Sequence, residues 1–183
     1  GYLSGFQHIN ECMQDIAFRE AAYRLMMDEQ APTLTITDVD LTGYAQSLIE
    51  RFANPALKHK TWQIAMDGSQ KLPQRMLAGI RLHLARETAW PLLALGVAGW
   101  MRYVSGVDDA GVTIDVRDPL NDKIRAIVTT HHEDQRVSAL LSLSEIFGND
   151  LPHNPVFVQA IETAWQRIAQ HGAHQAVIDT LKN

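Results

Sequence analysis

The stretch Trp90 to Tyr103 constrains the fold more than any other, because it is apolar on nearly every side of a 3.6-residue period. A helix of that kind persists in water only when other elements cover it on all sides. The sequence therefore predicts a domain wrapped around one buried helix. The apolar run from Ala89 to Met101 is too short to cross a bilayer, and Arg102 follows it directly, so no membrane partner is expected. Gly96 and Gly99 fall within this helix, where missing side chains would let another backbone approach closely. No strand precedes them, so this GxxG reads as a packing device and not as a phosphate loop.

Around that helix the chain reads as a succession of others. Tyr2, Phe6, Ile9 and Met13 recur at helical spacing, so residues 2–13 read as an amphipathic helix entered in mid-course, with no capping residue ahead of it. Asp15 can cap a second helix with Phe18, Ala21, Ala22, Leu25 and Met26 inward, which Pro32 would end. Asp38 or Asp40 opens a third, facing inward through Leu41, Tyr44, Leu48 and Phe52 and closing at Asn54-Pro55. Leu57 to Met66 is read as a short helix. Beyond Pro73 another carries Met76, Leu77, Ile80 and Leu84, with His83 expected to be a satisfied, partly buried histidine. Gly106 to Asp118 reads as a loop with at most a short strand from Val112 to Ile114. Helices are then expected from Asp118-Pro119, from Asp134 to Gly148, from Asn154-Pro155 to Gly172, and from Ala173 to Leu181. The expectation is all-α: a single domain over residues 1–183 with eight or nine helices and no internal repeat.

A chain of 183 residues can bury about 70% of its unfolded surface and hold a core without staples. Its single cysteine, Cys12, allows no internal disulfide, is read as a small core residue, and is compatible with a cytoplasmic location. A net charge of -5 with no basic run argues against nucleic acid. His131-His132-Glu133 and the pair His171 and His174 present no fixed ligand face, so no metal is expected.

The polar stretch Asp67-Gly68-Ser69-Gln70-Lys71-Leu72-Pro73-Gln74-Arg75 interrupts two helical segments and reads as a functional loop. Asp-Gly predicts a tight turn, with Asp67, Gly68 and Ser69 supporting it, and Pro73 suits the first turn of the following helix. Lys71 and Arg75 would then stand near a helix start that is already positive, which does not help the helix. Solvated surface charge is one reading of them; an anion site is the other. Arg51 at a helix C-terminus is likewise open between complementing the dipole and serving a site.

Arg51-Phe52-Ala53-Asn54-Pro55 and Thr61-Trp62-Gln63-Ile64-Ala65-Met66 running into Asp67-Gly68-Ser69-Gln70-Lys71-Leu72-Pro73 resemble the C-terminal domain of the mannitol dehydrogenase family, the long-chain polyol and hexuronate dehydrogenases. The resemblance continues through Leu95 to Tyr103 and Asp118-Pro119. It implies the substrate-covering half of a metal-independent, NAD-dependent oxidoreductase. NAD and the catalytic lysine would belong to an N-terminal nucleotide-binding domain, because neither GxGxxG nor the family's Lys-x4-Asn-x2-His pattern occurs in these residues. No catalytic residue is expected in this chain, which alone would be inactive. Lys71 matches the family's second lysine, which reaches the substrate, and Arg75 is a further candidate for an anionic group. Gln63 stands where mannitol 2-dehydrogenases carry an arginine, and the run Thr61 to Leu77 is closest to the fructuronate reductase (D-mannonate oxidoreductase) branch. The implied reaction interconverts D-mannonate and D-fructuronate. The same half of a mannitol 2-dehydrogenase or tagaturonate reductase is an alternative. Another is a non-catalytic helical interaction domain, exposing Tyr2, Phe6 and Ile9.

Overall fold

Pro91–Val104 forms the buried helix that its all-round apolar composition demands. Pro91 occupies its first turn, where a missing N–H is no loss, and Val97, Ala98 and Met101 retain no exposure. The helical stretch Pro155–Leu181 lies against it. Phe157 and Ile161 are fully buried there, and Phe157 stacks on Trp90 with ring centroids 5.9 Å apart. Each such side chain contributes roughly 1.5–3 kcal/mol through burial.

The computed structural model describes residues 1–182. In chain order the helices are α1 (Ile9–Gln14), α2 (Ile16–Arg24), α3 (Leu41–Ala53), α4 (Thr61–Ala65), α5 (Gly68–Leu72), α6 (Ala78–Arg86), α7 (Pro91–Val104), α8 (Asn121–Thr130), α9 (Arg136–Leu141), α10 (Ser144–Phe147) and α11 (Pro155–Leu181). The fold is all-α as expected. Among the described residues β-geometry amounts to two isolated bridges, His8 with Lys60 and Val107 with Thr113, so the short strand from Val112 to Ile114 does not form.

The start of the chain differs from its periodicity. Gly5 has a φ of 86°, a left-handed conformation that a continuous helix cannot contain, so residues 2–5 form turns and α1 begins at Ile9. Glu11 caps it by accepting from the N–H groups of Gln7 at 2.7 Å and His8 at 3.1 Å. Tyr2 and Phe6 are half-buried. Tyr2 meets Tyr103 edge-on at 5.9 Å and Phe6 meets Phe18 at 5.5 Å. The exposed apolar surface expected at Tyr2, Phe6 and Ile9 is therefore packed against the domain itself.

Asp15 caps α2 through the Phe18 N–H at 3.0 Å, yet the chain does not stop at Pro32 as a plain α-helix. It passes through a π-helical turn, Leu25–Gln30, and a 3-10 turn, Ala31–Thr33. The wide turn brings an acid inward: Glu29 is 3% exposed. Its carboxylate accepts from the N–H groups of Leu92 and Leu93, each at 2.7 Å, and so closes the N-terminus of α7. His83 donates from Nε2 to the Glu29 carbonyl at 2.6 Å, leaving Nδ1 to accept from the Thr88 hydroxyl at 2.7 Å.

Asp40 is the cap of α3, accepting from Gly43 at 2.9 Å. The buried face of α3 is Ala45 and Ile49, and the expected inward residue Tyr44 is 61% exposed. Lys58, with a φ of 44°, breaks the helix expected from Leu57, so only Thr61–Ala65 is helical. The segment from Asp134 divides into α9 and α10 at Ser142 and Leu143. Gly172, at φ 77°, interrupts α11 where a stop was expected, and Asp109 accepts from the Ala173 N–H at 2.6 Å to restart it.

Candidate functional site: a cleft edged by two cations

A cavity of about 500 Å³ opens between α2, α4, α5 and α7, lined almost wholly by apolar side chains such as Phe18, Leu25, Ile64, Met76, Leu95 and Trp100. Lys71 and Arg75 contribute its positive charge. The two cations reach it from one nearly continuous helical path. The stretch from Gly68 onward, expected to be a loop, is helical: α5 runs to Leu72, a π-helical turn covers Pro73–Leu77, and α6 follows. Pro73 therefore sits inside the path and does not begin it. The non-helical corner is confined to Met66 and Asp67 between α4 and α5.

At that corner the left-handed conformation falls on Asp67, with φ 57° and ψ 32°, and not on the glycine after it. Gly68 is required for space. A Cβ there would lie 2.2 Å from Nε1 of Trp100. Asp67 supports the turn with its backbone, its carbonyl accepting from Gln70 and Lys71 at 3.1 Å each. Ser69 is 2% exposed; its N–H donates to Asp118 Oδ2 at 2.8 Å, while its hydroxyl has no protein partner.

Lys71 is half-buried in the cleft wall, and its Nζ donates to the carbonyl of Ile64 at 3.0 Å and to that of Met66. It thereby closes the carbonyl end of α4 and keeps one of its three N–H groups for something else. Arg75 is exposed at the cleft, its backbone carbonyl held by Gln30 at 3.4 Å. Gln63 is exposed on α4 and does not line the cavity. Arg51 is exposed at the end of α3, its guanidinium 5.5 Å from the Phe52 ring centroid, away from the cleft lining.

Gly96 and Gly99 both face the cavity. What approaches Gly96 is a side chain and not the backbone expected: a Cβ there would lie 2.8 Å from Met76 Cε. Gly99 has nothing within 4 Å of such a Cβ, so its missing side chain is open volume.

One histidine of each pair has a protein partner. His131 bonds the Ile127 carbonyl at 2.9 Å through Nδ1, and Glu133 pairs with Arg102. His174 bonds Asp15 at 2.8 Å. No group of three or more His, Cys, Asp or Glu among the described residues is placed to hold a metal. Neither is there a strand to build a dinucleotide crevice among those residues. Sequence reasoning missed Glu29, whose role depends on a helix start 63 residues downstream, and missed the linkage of Asp118 to the corner.

The profile of the mannitol dehydrogenase C-terminal domain matches residues 1–169. Over 182 residues, all of this chain, it is 76% identical to an Escherichia coli (strain K12) protein named Uncharacterized oxidoreductase YeiQ. It is 53% identical over 178 residues, 97% of the chain, to the D-mannonate oxidoreductase of the same organism. Both matches cover 37% of the relative's own length, so the chain spans little more than a third of those proteins. The structure of Pseudomonas fluorescens mannitol 2-dehydrogenase, a ternary complex with NAD and D-mannitol, superposes with a TM-score of 0.93 at 30% identity, over 100% of this chain and 37% of that one. With the profile covering all but its last residues, this helical chain belongs to the mannitol dehydrogenase family as its C-terminal domain.

Proposed function

We propose that the chain is the substrate-covering half of an NAD-dependent oxidoreductase that interconverts a sugar acid or polyol and its keto form, with D-mannonate and D-fructuronate as the first pair. The observation that carries this reading is that Lys71 and Arg75 edge one concave surface. A sugar acid bears a carboxylate and a hydroxyl on nearly every carbon, so it gains from the cation corner and little from the apolar remainder. The apolar walls suit a protein segment of a nucleotide-binding half, which would also supply NAD and the general base. The hydride chemistry is the cofactor's.

Lys71 is the positioning cation: with two N–H groups fixed on Ile64 and Met66, the third is aimed by the protein before substrate arrives. Arg75 offers the second charge for a carboxylate. Gln63, outside the cavity, is left to the neighbouring half. A charge-assisted hydrogen bond from Lys71 contributes roughly 1.5–3 kcal/mol. In the full-length protein Lys71→Ala therefore lowers kcat/KM for D-mannonate by about tenfold or more. Unchanged kinetics in a folded variant would remove Lys71 from the site, and preference for mannitol over D-mannonate would overturn the choice of substrate.

A further inference from the structure

The α4–α5 corner is held from outside by two consecutive residues of the loop ahead of α8. The Asp67 N–H donates to the carbonyl of Arg117 at 3.0 Å. The Arg117 guanidinium lies over the ring of Trp62 on α4, 4.9 Å from its centroid. Asp118 then divides its carboxylate between two tasks. Oδ1 accepts from the Leu120 N–H at 2.9 Å and shapes the entry to α8, while Oδ2 turns the other way and accepts from the Ser69 N–H at 2.8 Å.

α5 depends on that second bond because it lacks a cap of its own. Asp67 stands where a cap should be, but its left-handed backbone leaves the side chain without a capping bond. A carboxylate from 49 residues away takes the place of the local one. The bonds form a closed circuit, from Asp118 to Ser69, along one turn to Lys71, from its ammonium to Ile64 and Met66, and through Trp62 and Arg117 back to Asp118.

We propose that Asp118 is a positioning residue for Lys71, fixing where the ammonium stands at the cleft by fixing where α5 begins. The proposal rests on the substrate reading of Lys71 only for its effect on catalysis; the placement of the ammonium is a separate matter. Without the carboxylate, the Ser69 N–H is left unpaired at a buried site. The start of α5 then shifts or frays, and Lys71 leaves the α4 carbonyls with it.

The test uses the full-length protein and reads the amine directly. Brief acetylation with acetic anhydride, quantified by peptide mass spectrometry, gives the rate at Lys71 relative to the exposed Lys58 and Lys60 of the same molecule. Asp118→Ala is expected to raise that ratio about threefold or more, because the amine exchanges two carbonyl partners for solvent. Asp118→Asn, whose single amide oxygen can accept from Ser69 or from Leu120 but not from both, is expected to give a ratio between those of wild type and Asp118→Ala. An unchanged ratio in a folded Asp118→Ala protein overturns the proposal, whatever happens to its melting temperature. If Asp118→Ala does not fold, Asp118→Glu, which moves the same charge out of register by one carbon, carries the comparison on the same terms. Kinetics separate the two readings. Asp118→Ala is expected to lower kcat/KM about fivefold in the wild-type background and to add nothing beyond Lys71→Ala. A raised labelling ratio beside kinetics indifferent to Lys71→Ala sustains the positioning and refutes the substrate reading.

Discussion

Glu29 is the side chain whose removal should cost most for the fewest atoms lost. Its carboxylate is the partner of the Leu92 and Leu93 N–H groups at the start of the helix around which the domain is built, and the site is 3% exposed. Glu29→Ala leaves two buried N–H groups unpaired, at about 1–3 kcal/mol each, and removes an anion from the positive end of a helix, about 0.3–2 kcal/mol more. Relief of the buried charge offsets part of this. A net loss of about 2–4 kcal/mol at neutral pH follows, or about 4–16 °C in Tm for a domain of this size. Glu29→Gln retains one acceptor and should lose about half as much. Burial pushes the Glu29 carboxyl up, outweighing the two N–H bonds that pull it down. With the folded value above the unfolded one, the native state holds the proton longer. The proton-linked part of this group's contribution is full below about pH 4.3 and is lost as pH rises through the folded value, leaving the part that the two N–H bonds supply. The advantage of wild type over Glu29→Gln should therefore narrow from acid to neutral pH. Urea unfolding followed by circular dichroism measures the totals, and amide exchange at Leu92 and Leu93 measures the local opening. A Glu29→Ala protein within about 0.5 kcal/mol of wild type, or exchange unchanged at those two amides, would refute the capping argument.

Gly68→Ala places a methyl group 2.2 Å from Nε1 and 2.3 Å from Cδ1 of Trp100, so it should destabilise by about 1–3 kcal/mol through overpacking; a melt unchanged from wild type counts against the fit described. Gly99→Ala, facing open volume in a helix interior, should do the opposite and gain about 0.5–1 kcal/mol, seen as a small rise in Tm. Arg81 donates to both oxygens of Asp150, at 2.6 and 2.8 Å, and to the Phe147 carbonyl at 3.1 Å, and the guanidinium holds that carboxyl well below the usual carboxylate range. Stability from this pair is present above about pH 3.9 and is lost as pH falls through the folded value. Because the pair is more than a third exposed, Arg81→Met should cost only about 0.5–1 kcal/mol at neutral pH. Urea titrations near pH 2 and pH 7 should show a shallower acid loss in that variant.

The buried helix is legible because burial on all sides leaves no polar stripe, and Asp15, Asn154 and, as one of two alternatives with Asp38, Asp40 are legible as caps because each bonds an N–H within three residues. Where the reading failed, the deciding partner was remote or the period was not 3.6. Leu72 and Leu77 are both buried at a spacing of five, across the π-helical turn, so no 3.6-residue period marks the helical path through a stretch whose polar, turn-prone composition reads as a loop. The apolar ring of Tyr44 points the sequence reading inward, although Ala45 beside it is the residue that fits. The cleft was half legible. Lys71 and Arg75 were picked out by their unhelpful charge at a helix start and by the family resemblance, but the carbonyls that hold Lys71 lie on another element. Nothing local marked Asp118 as the cap of a helix 49 residues earlier.

The wide turn at Pro73–Leu77 gives the path from Gly68 to Arg86 one residue more than an unbroken α-helix over the same rise would hold. Such a surplus can be surrendered. Loss of one residue within that turn would leave a regular helix over the same rise, with α6 still seated by Ile80 and His83 and α5 still in its place, while the side chains of the turn itself, Arg75 among them, are redirected. The guanidinium and the hollow it borders would then part company without the domain coming apart. Length variation at this one place can therefore separate the architecture from its use, and a lineage could drift across that boundary in a single deletion.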